Sequence, residues 1–194
     1  MKGIKANIII LGDTRLGRKE EEVFKRMWGG KAYFNSFCSN KRGLAVLIKN
    51  DTPISDIVWE NIIPGNFSKL SFKAKDQTVL IKCIYAPNED SNPNDDNNDS
   101  TKFFKTVLDD ADEGRFNHRI IAGDYNVAIR HKEDTSGYLH VNNPNTREFL
   151  TRQANLSNLV DIWRGALETQ MFDSILSTRD RRETIQKPDL TTFG

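Results

Sequence analysis

Apolar positions in this chain fall into short runs separated by polar turns, and the spacing inside each run predicts its conformation. Ile8 to Leu11 is an unbroken, largely β-branched run closed by Gly12, which predicts a buried strand. From Gly17 to Trp28 the period lengthens. Val23, Phe24, Met27 and Trp28 share one helical face, Arg18, Lys19, Glu20 and Glu22 lie mostly on the other, and Gly29-Gly30 supplies a stop. Arg42 to Ile48 and Asp56 to Ile63 predict two more strands, the second ended by Pro64-Gly65. Leu70 to Ala74 and Thr78 to Tyr85 predict a hairpin through Lys75-Asp76-Gln77. Within it, Leu70, Phe72 and Ala74 alternate with Ser71 and Lys73, as in a strand with one wet face.

Glu89 to Asp99, rich in Asp, Asn and Pro, predicts a solvated loop; it lacks the glycine and closing glutamate of an EF-hand. Ser100 is placed to cap a helix whose inner face carries Phe103, Phe104, Val107 and Leu108. Ile120, Ile121 and Ala122 form a further strand. A long polar loop from Arg130 to Asn145 leads to a second capped helix, with Asn145 and Glu148 as a capping-box variant and Phe149, Leu150 and Leu156 facing inward. Leu159 to Arg164 is the last apolar segment, and Ser177 to Lys187 is polar and basic. This order predicts an α/β or α+β fold with much antiparallel sheet, because neighbouring strands are too close for helical crossovers. At 194 residues, with no internal repeat, residues 1–194 are expected to form a single domain.

Charge narrows the classes only a little. Lys and Arg total 28 against 27 Asp and Glu, so no basic excess points to nucleic acid and none excludes it. A hydrophobic content of 37% and the short apolar runs predict no membrane segment and no export signal. The expected location is intracellular, nuclear or cytoplasmic, and not secreted. Cys38 and Cys83 lack metal-type spacing and read as ordinary residues.

The stretch with most chemical content is His118 to Asn126. Its apolar start predicts a buried strand, Gly123 predicts a break and a tight turn, and Asp124 and Asn126 follow at the C-terminal edge, where α/β folds place chemistry. A carboxylate and an amide two residues apart suit a water molecule and a phosphate. Taken alone, Gly-Asp-x-Asn reads first as a turn, since both side chains cap local backbone. Asp13, past the end of the first strand, is likewise either a cap or a ligand, and Tyr85 either a strand-end aromatic or a functional one.

Three segments in order change the weighting: Ile8 to Thr14, Ile84-Tyr85-Ala86-Pro87-Asn88, and Ala122-Gly123-Asp124-Tyr125-Asn126. Together they resemble successive motifs of the endonuclease/exonuclease/phosphatase superfamily, most closely the apurinic/apyrimidinic-type endonuclease domain of non-LTR retrotransposons. Met27 to Gly30, Arg42 to Ile48 and Leu159 to Arg164 support the likeness, which spans nearly the whole chain. The resemblance implies a four-layered α-β-β-α sandwich of two mostly antiparallel sheets. It also implies a DNA-nicking phosphodiesterase that uses Mg2+ or Mn2+, with DNA as partner and a reverse transcriptase domain encoded downstream. By resemblance Asp13 takes the place of the metal-binding glutamate, and Tyr85 that of the tyrosine contacting the scissile phosphate. Asp124 matches the aspartate that activates or orients water, and Asn126 the asparagine that steadies the phosphate. Asp161, Trp163 and Arg164 read as architectural rather than as substrate contacts, Trp163 as core and Asp161 as a buried acceptor, and His118, His131 and His140 match none of the family's catalytic positions and read as surface or loop residues.

The chain departs from the family pattern in four ways. Asp13 is one methylene shorter than glutamate, a displacement of about 1.5 Å, and ~1 Å of misplacement can cost on the order of a hundredfold in rate. Arg15 stands where retrotransposon members often carry histidine. The family's first strand, ending in a metal-site asparagine, has no counterpart in Met1 to Ala6. Its closing Asp-His pair has none by Leu190 to Gly194. The expectation is therefore a domain truncated at both ends, inactive as a fragment and of reduced stability when expressed alone. Two alternatives stay open: a phosphatase of the same superfamily, and a non-catalytic remnant or nucleic-acid-binding module.

Overall fold

The computed structural model describes residues 6–88, 100–109, 114–129, 144–156 and 159–162. Expectations for Glu89–Asp99, for most of Arg130–Asn145, for His131, His140, Trp163 and Arg164, and for everything after them fall outside the described residues, as does the Leu156 side chain. The chain divides into two compact units, Met1–Leu150 and Thr151–Gly194.

The first unit is built on two sheets. One has three strands, with β3 (Leu44–Ile48) between β1 (Ile8–Gly12) and β2 (Lys31–Asn35), both antiparallel to it. The other has four in sequence order: β4 (Ser55–Ile63), β5 (Phe67–Ala74), β6 (Gln77–Tyr85) and β7 (His118–Asp124). The first three of these run antiparallel, while β7 is parallel to β6 in the register Ile81↔Ile120, Tyr85↔Asp124. A parallel neighbour needs a crossover, and the chain between β6 and β7 contains α2 (Ser100–Leu108). Among the described residues no helix is long and apolar enough to cross a membrane.

Alternation sets the layers. Val46 and Ile48 of β3 face Leu70 and Phe72 of β5 and Val79, Ile81 and Cys83 of β6 in one core between the sheets. All five residues of β3 are buried, which is why its run is apolar without alternation. Each such Leu, Val or Ile contributes about 1.5–3 kcal/mol by leaving water. The outer face of the second sheet offers Phe67, Ile84 and Ala86 to Phe103, Phe104 and Val107 of α2 and to Leu150 at the front of α3 (Pro144–Leu156). On the outer face of the first sheet, Phe24 of α1 (Arg18–Trp28) meets Phe34 edge to face at 6.0 Å, and the Trp28 indole donates to the Ile48 carbonyl at 3.2 Å. Helix, sheet, sheet and helices make the expected α+β sandwich.

Several local expectations change. β2 carries no strong apolar pattern, and the sequence predicts no strand there; it pairs along the second edge of β3. Met27 is 80% exposed and Val23 is exposed too, while Glu21, Phe24 and Trp28 are half-buried, so the inner stripe of α1 is centred one position away from the apolar one. The buried Ser100 hydroxyl has no hydrogen-bond partner among the described residues, so the expected cap bond is not made. α3 opens on Pro144 rather than on an Asn145 cap, a position proline favours. Gly123 does not break its strand: it lies inside β7 at φ 138°, where any side chain would strike the Ile84 backbone carbonyl. Both cysteines are free, Cys38 half-buried and Cys83 fully buried.

In the second unit the Leu159 N–H donates to the Ala154 carbonyl at 3.0 Å, a bond typical of a helix end. Val160 is 78% exposed, and Leu159 and Ile162 are exposed beside it. Asp161 is exposed as well, not the buried acceptor expected of it.

Candidate active site

Three chain crossings build the site, each at the C-terminal end of a strand. Past β1, Asp13 and Arg15 both adopt left-handed backbone (φ 50° and 52°). That turn is tied down by Thr14 N–H donating to the Gly43 carbonyl at 3.1 Å and Arg15 N–H to the Arg42 carbonyl at 2.9 Å. Gly43, at φ 118°, has to be glycine here, because a methyl group would collide with the Thr14 hydroxyl.

At the end of β6, Tyr85 is held through its backbone. Its N–H donates to the Asn66 carbonyl at 2.9 Å, and the Asn66 amide donates back to the Tyr85 carbonyl. Asn66 closes a turn in which Pro64 and Gly65 (φ 70°) fill the middle positions and the Asn66 N–H donates to Ile63 at 3.1 Å, the pattern of a type II turn. Beneath it, Asn35 of β2 donates to Phe67 at 3.0 Å and to the Ser68 hydroxyl at 2.8 Å, and accepts from Gly65 N–H at 2.8 Å.

At the end of β7 the Asp124 carboxylate accepts the Asn126 backbone N–H at 2.9 Å. This Asx turn is the bland reading of Gly-Asp-x-Asn, and it is present. It also does more. The Ala86 N–H donates to the Asp124 carbonyl at 2.8 Å, and the Asn126 amide donates to the Ala86 carbonyl, so the turn is pinned beside Tyr85. Tyr125 turns away, stacking on Phe104 at 5.6 Å.

The sheets bring these ends together. Behind Asp13, a methyl group at Gly12 would stand 3.3 Å from the Tyr85 ring and 3.8 Å from the Asp124 Cβ. The Tyr85 hydroxyl is raised above the ordinary tyrosine value, first by burial and then by the charges of Asp13 and Asp124. The Asn126 side-chain hydrogen bond and the Arg15 charge oppose the rise. The ends that carry Asp13, Tyr85, Asp124 and Asn126 therefore lie close together. His118 lies exposed at the opposite end of β7.

Arg15 was not anticipated as part of the cluster. Its Nη2 and Nε donate to the same Asp13 oxygen at 2.6 and 2.9 Å, and this partner holds the guanidinium above its ordinary value. The bridge is open to water, with side chains 62% and 30% exposed. Two φ-positive non-glycine residues two apart were not visible in the sequence. Asn66 was, since Pro64-Gly65 predicts the turn that sets it.

Among the described residues no three His, Cys, Asp or Glu side chains gather into an all-protein cation cage. The donor set does fit a shared one. Mg2+ is ordinarily held by one or two carboxylates with substrate phosphate and water, and Asp13 and Asp124 beside one phenol supply that number of hard oxygen ligands. No protein-family model matches the chain, and no curated protein matches it at a significant level.

Proposed function

We propose that this chain is a phosphodiester hydrolase domain of the DNA-nicking type. The observation that carries the reading is the meeting of three strand ends from two sheets, where a methyl group at Gly12, next to Asp13, would lie 3.3 Å from the Tyr85 ring and 3.8 Å from the Asp124 Cβ. Asp13, with Asp124, would hold Mg2+ or Mn2+, and the bound ion would supply charge stabilisation and lower the pKa of water. Tyr85 is protonated at neutral pH, as any ordinary tyrosine is, and its surroundings disfavour phenolate further, so it can donate to a phosphate oxygen. Asp124 is exposed, has its carboxylate oriented by the Asn126 N–H, and acts as the acceptor for a proton from the attacking water. Asn126, fixed by Ala86, would steady the phosphate without adding charge by turning to it the N–H that it otherwise gives to Tyr85. The substrate is DNA, the partner domain a reverse transcriptase, and the setting intracellular, in nucleus or cytoplasm.

One observation favours a second reading. Arg15 already neutralises Asp13, which suits a module that binds nucleic acid without cutting it. The experiment is conversion of supercoiled plasmid to the nicked form with Mg2+, run beside a soluble phosphomonoester. Nicking by the wild type that falls at least a hundredfold in Asp124→Ala supports the hydrolase. Turnover of the monoester alone selects a phosphatase, and DNA binding without nicking selects the binding module.

A further inference from the structure

Phe37 is the one aromatic side chain among the described residues that stands more than half exposed, at 52%. Single exposed apolar residues are ordinary on protein surfaces, but this one is mounted. Cys38 and Lys41 form an isolated antiparallel bridge around Ser39-Asn40, and Phe37 and Arg42 flank it on either side. The Arg42 guanidinium carbon lies 5.1 Å from the centre of the Phe37 ring, within cation–π range. Gly65 backs the pair: a methyl group there would stand 2.7 Å from the Phe37 Cβ and 3.0 Å from the Arg42 Cβ. The pair therefore rests on the same Pro64-Gly65-Asn66 turn that seats Tyr85. It also adjoins the Asp13–Arg15 turn directly, through Arg15 N–H to the Arg42 carbonyl.

We infer that Phe37 and Arg42 form a stacking platform for a nucleobase of the DNA strand that enters the Asp13–Tyr85–Asp124 site. The inference rests on the nucleic-acid reading proposed above. A flat ring with a guanidinium on it offers what an unstacked base needs, a π face and a delocalised cation, and it does so without reading sequence. Arg42 and the exposed Lys41 put positive charge along the path of the flanking phosphates. Because the hairpin is preformed, little side-chain freedom is lost on binding.

The test is fluorescence anisotropy of the full chain with a labelled single-stranded oligonucleotide in EDTA, which separates binding from cutting. Phe37→Ala should weaken binding about tenfold, Phe37→Trp should restore it, and Phe37→Leu, which keeps bulk but loses the π face, should not. Arg42→Ala should weaken binding and flatten the salt dependence by about one ion. Thermal melts of each variant guard against misfolding, and Phe37→Trp keeps the idea falsifiable if Phe37→Ala does not fold. Equal binding by wild type, Phe37→Ala and Phe37→Leu overturns the platform, as does sedimentation showing that Phe37 is covered in a dimer of this chain. Phe37-dependent binding without nicking overturns the hydrolase reading and upholds the platform. Nicking that ignores Phe37 does the reverse.

Discussion

Ionisation of Tyr85 is disfavoured first by its partial burial and then by the negative charges of Asp13 and Asp124, beside which a phenolate would be a third. Removing either charge should bring its ionisation back toward the ordinary value, while burial retains part of the rise. An ultraviolet titration of Asp13→Asn and Asp124→Asn against wild type checks this, and unchanged curves would show that the two carboxylates do not face the phenol. A proton held more tightly in the folded state stabilises the fold below the ordinary tyrosine value, and that contribution is lost as pH climbs through the folded value. At this scale the sequence was legible where chemistry is local. Asp124 and Asn126 sit on a turn that their own side chains make, and Pro64-Gly65 announces the turn that seats Tyr85. Arg15 was not legible as a partner of Asp13, because adjacency two residues apart becomes a bidentate contact only through left-handed backbone that the residue types do not predict.

Elements with a buried centre were read well, and elements that depend on their neighbours were not. β3, β5 and β6 declare themselves by continuous or alternating apolar positions. β2, Lys31–Asn35, has neither; it fills the edge of β3 that β1 leaves, so that the backbone groups of the buried β3 are paired on both sides. The α1 stripe was misread for a related reason. Val23 and Met27 are apolar yet exposed, and the half-buried Glu21 takes their place in the inner arc, so hydrophobicity alone placed the face incorrectly. β6 also hides an unexpected device. Lys82 is only 4% exposed, and its ammonium donates to the Val107 carbonyl at 2.7 Å and the Asp109 carbonyl at 3.1 Å, closing the C-terminal end of α2. A lysine on an apolar strand looks like a solvent-facing residue in sequence. Lys82→Met should cost about 1–3 kcal/mol in urea unfolding by stripping those carbonyls of a buried donor. An unchanged midpoint would mean that water replaces the lysine.

The two facing sheets followed from alternation, but the meeting of their ends did not. Nothing in residue spacing says that Gly12 will lie against Tyr85 and Asp124; that proximity belongs to the sandwich as a whole. Ligand binding at such a junction should stabilise the entire first unit. Saturating Mg2+ at about a hundred times its dissociation constant should add roughly 2.7 kcal/mol, read as a rise in melting temperature. The rise should vanish in Asp13→Asn and in Asp124→Asn, and a shift that survives both substitutions would locate the ion elsewhere. The free cysteines carry a practical corollary. The Cys83 thiol, buried between the sheets, is pushed up to about 12 by that burial and stays protonated and inaccessible. Cys38, half-buried in the hairpin beside Phe37, is left as the reactive sulfur. Maleimide should attach one dye per folded chain, at Cys38, making the native protein its own reporter for strands arriving at that hairpin.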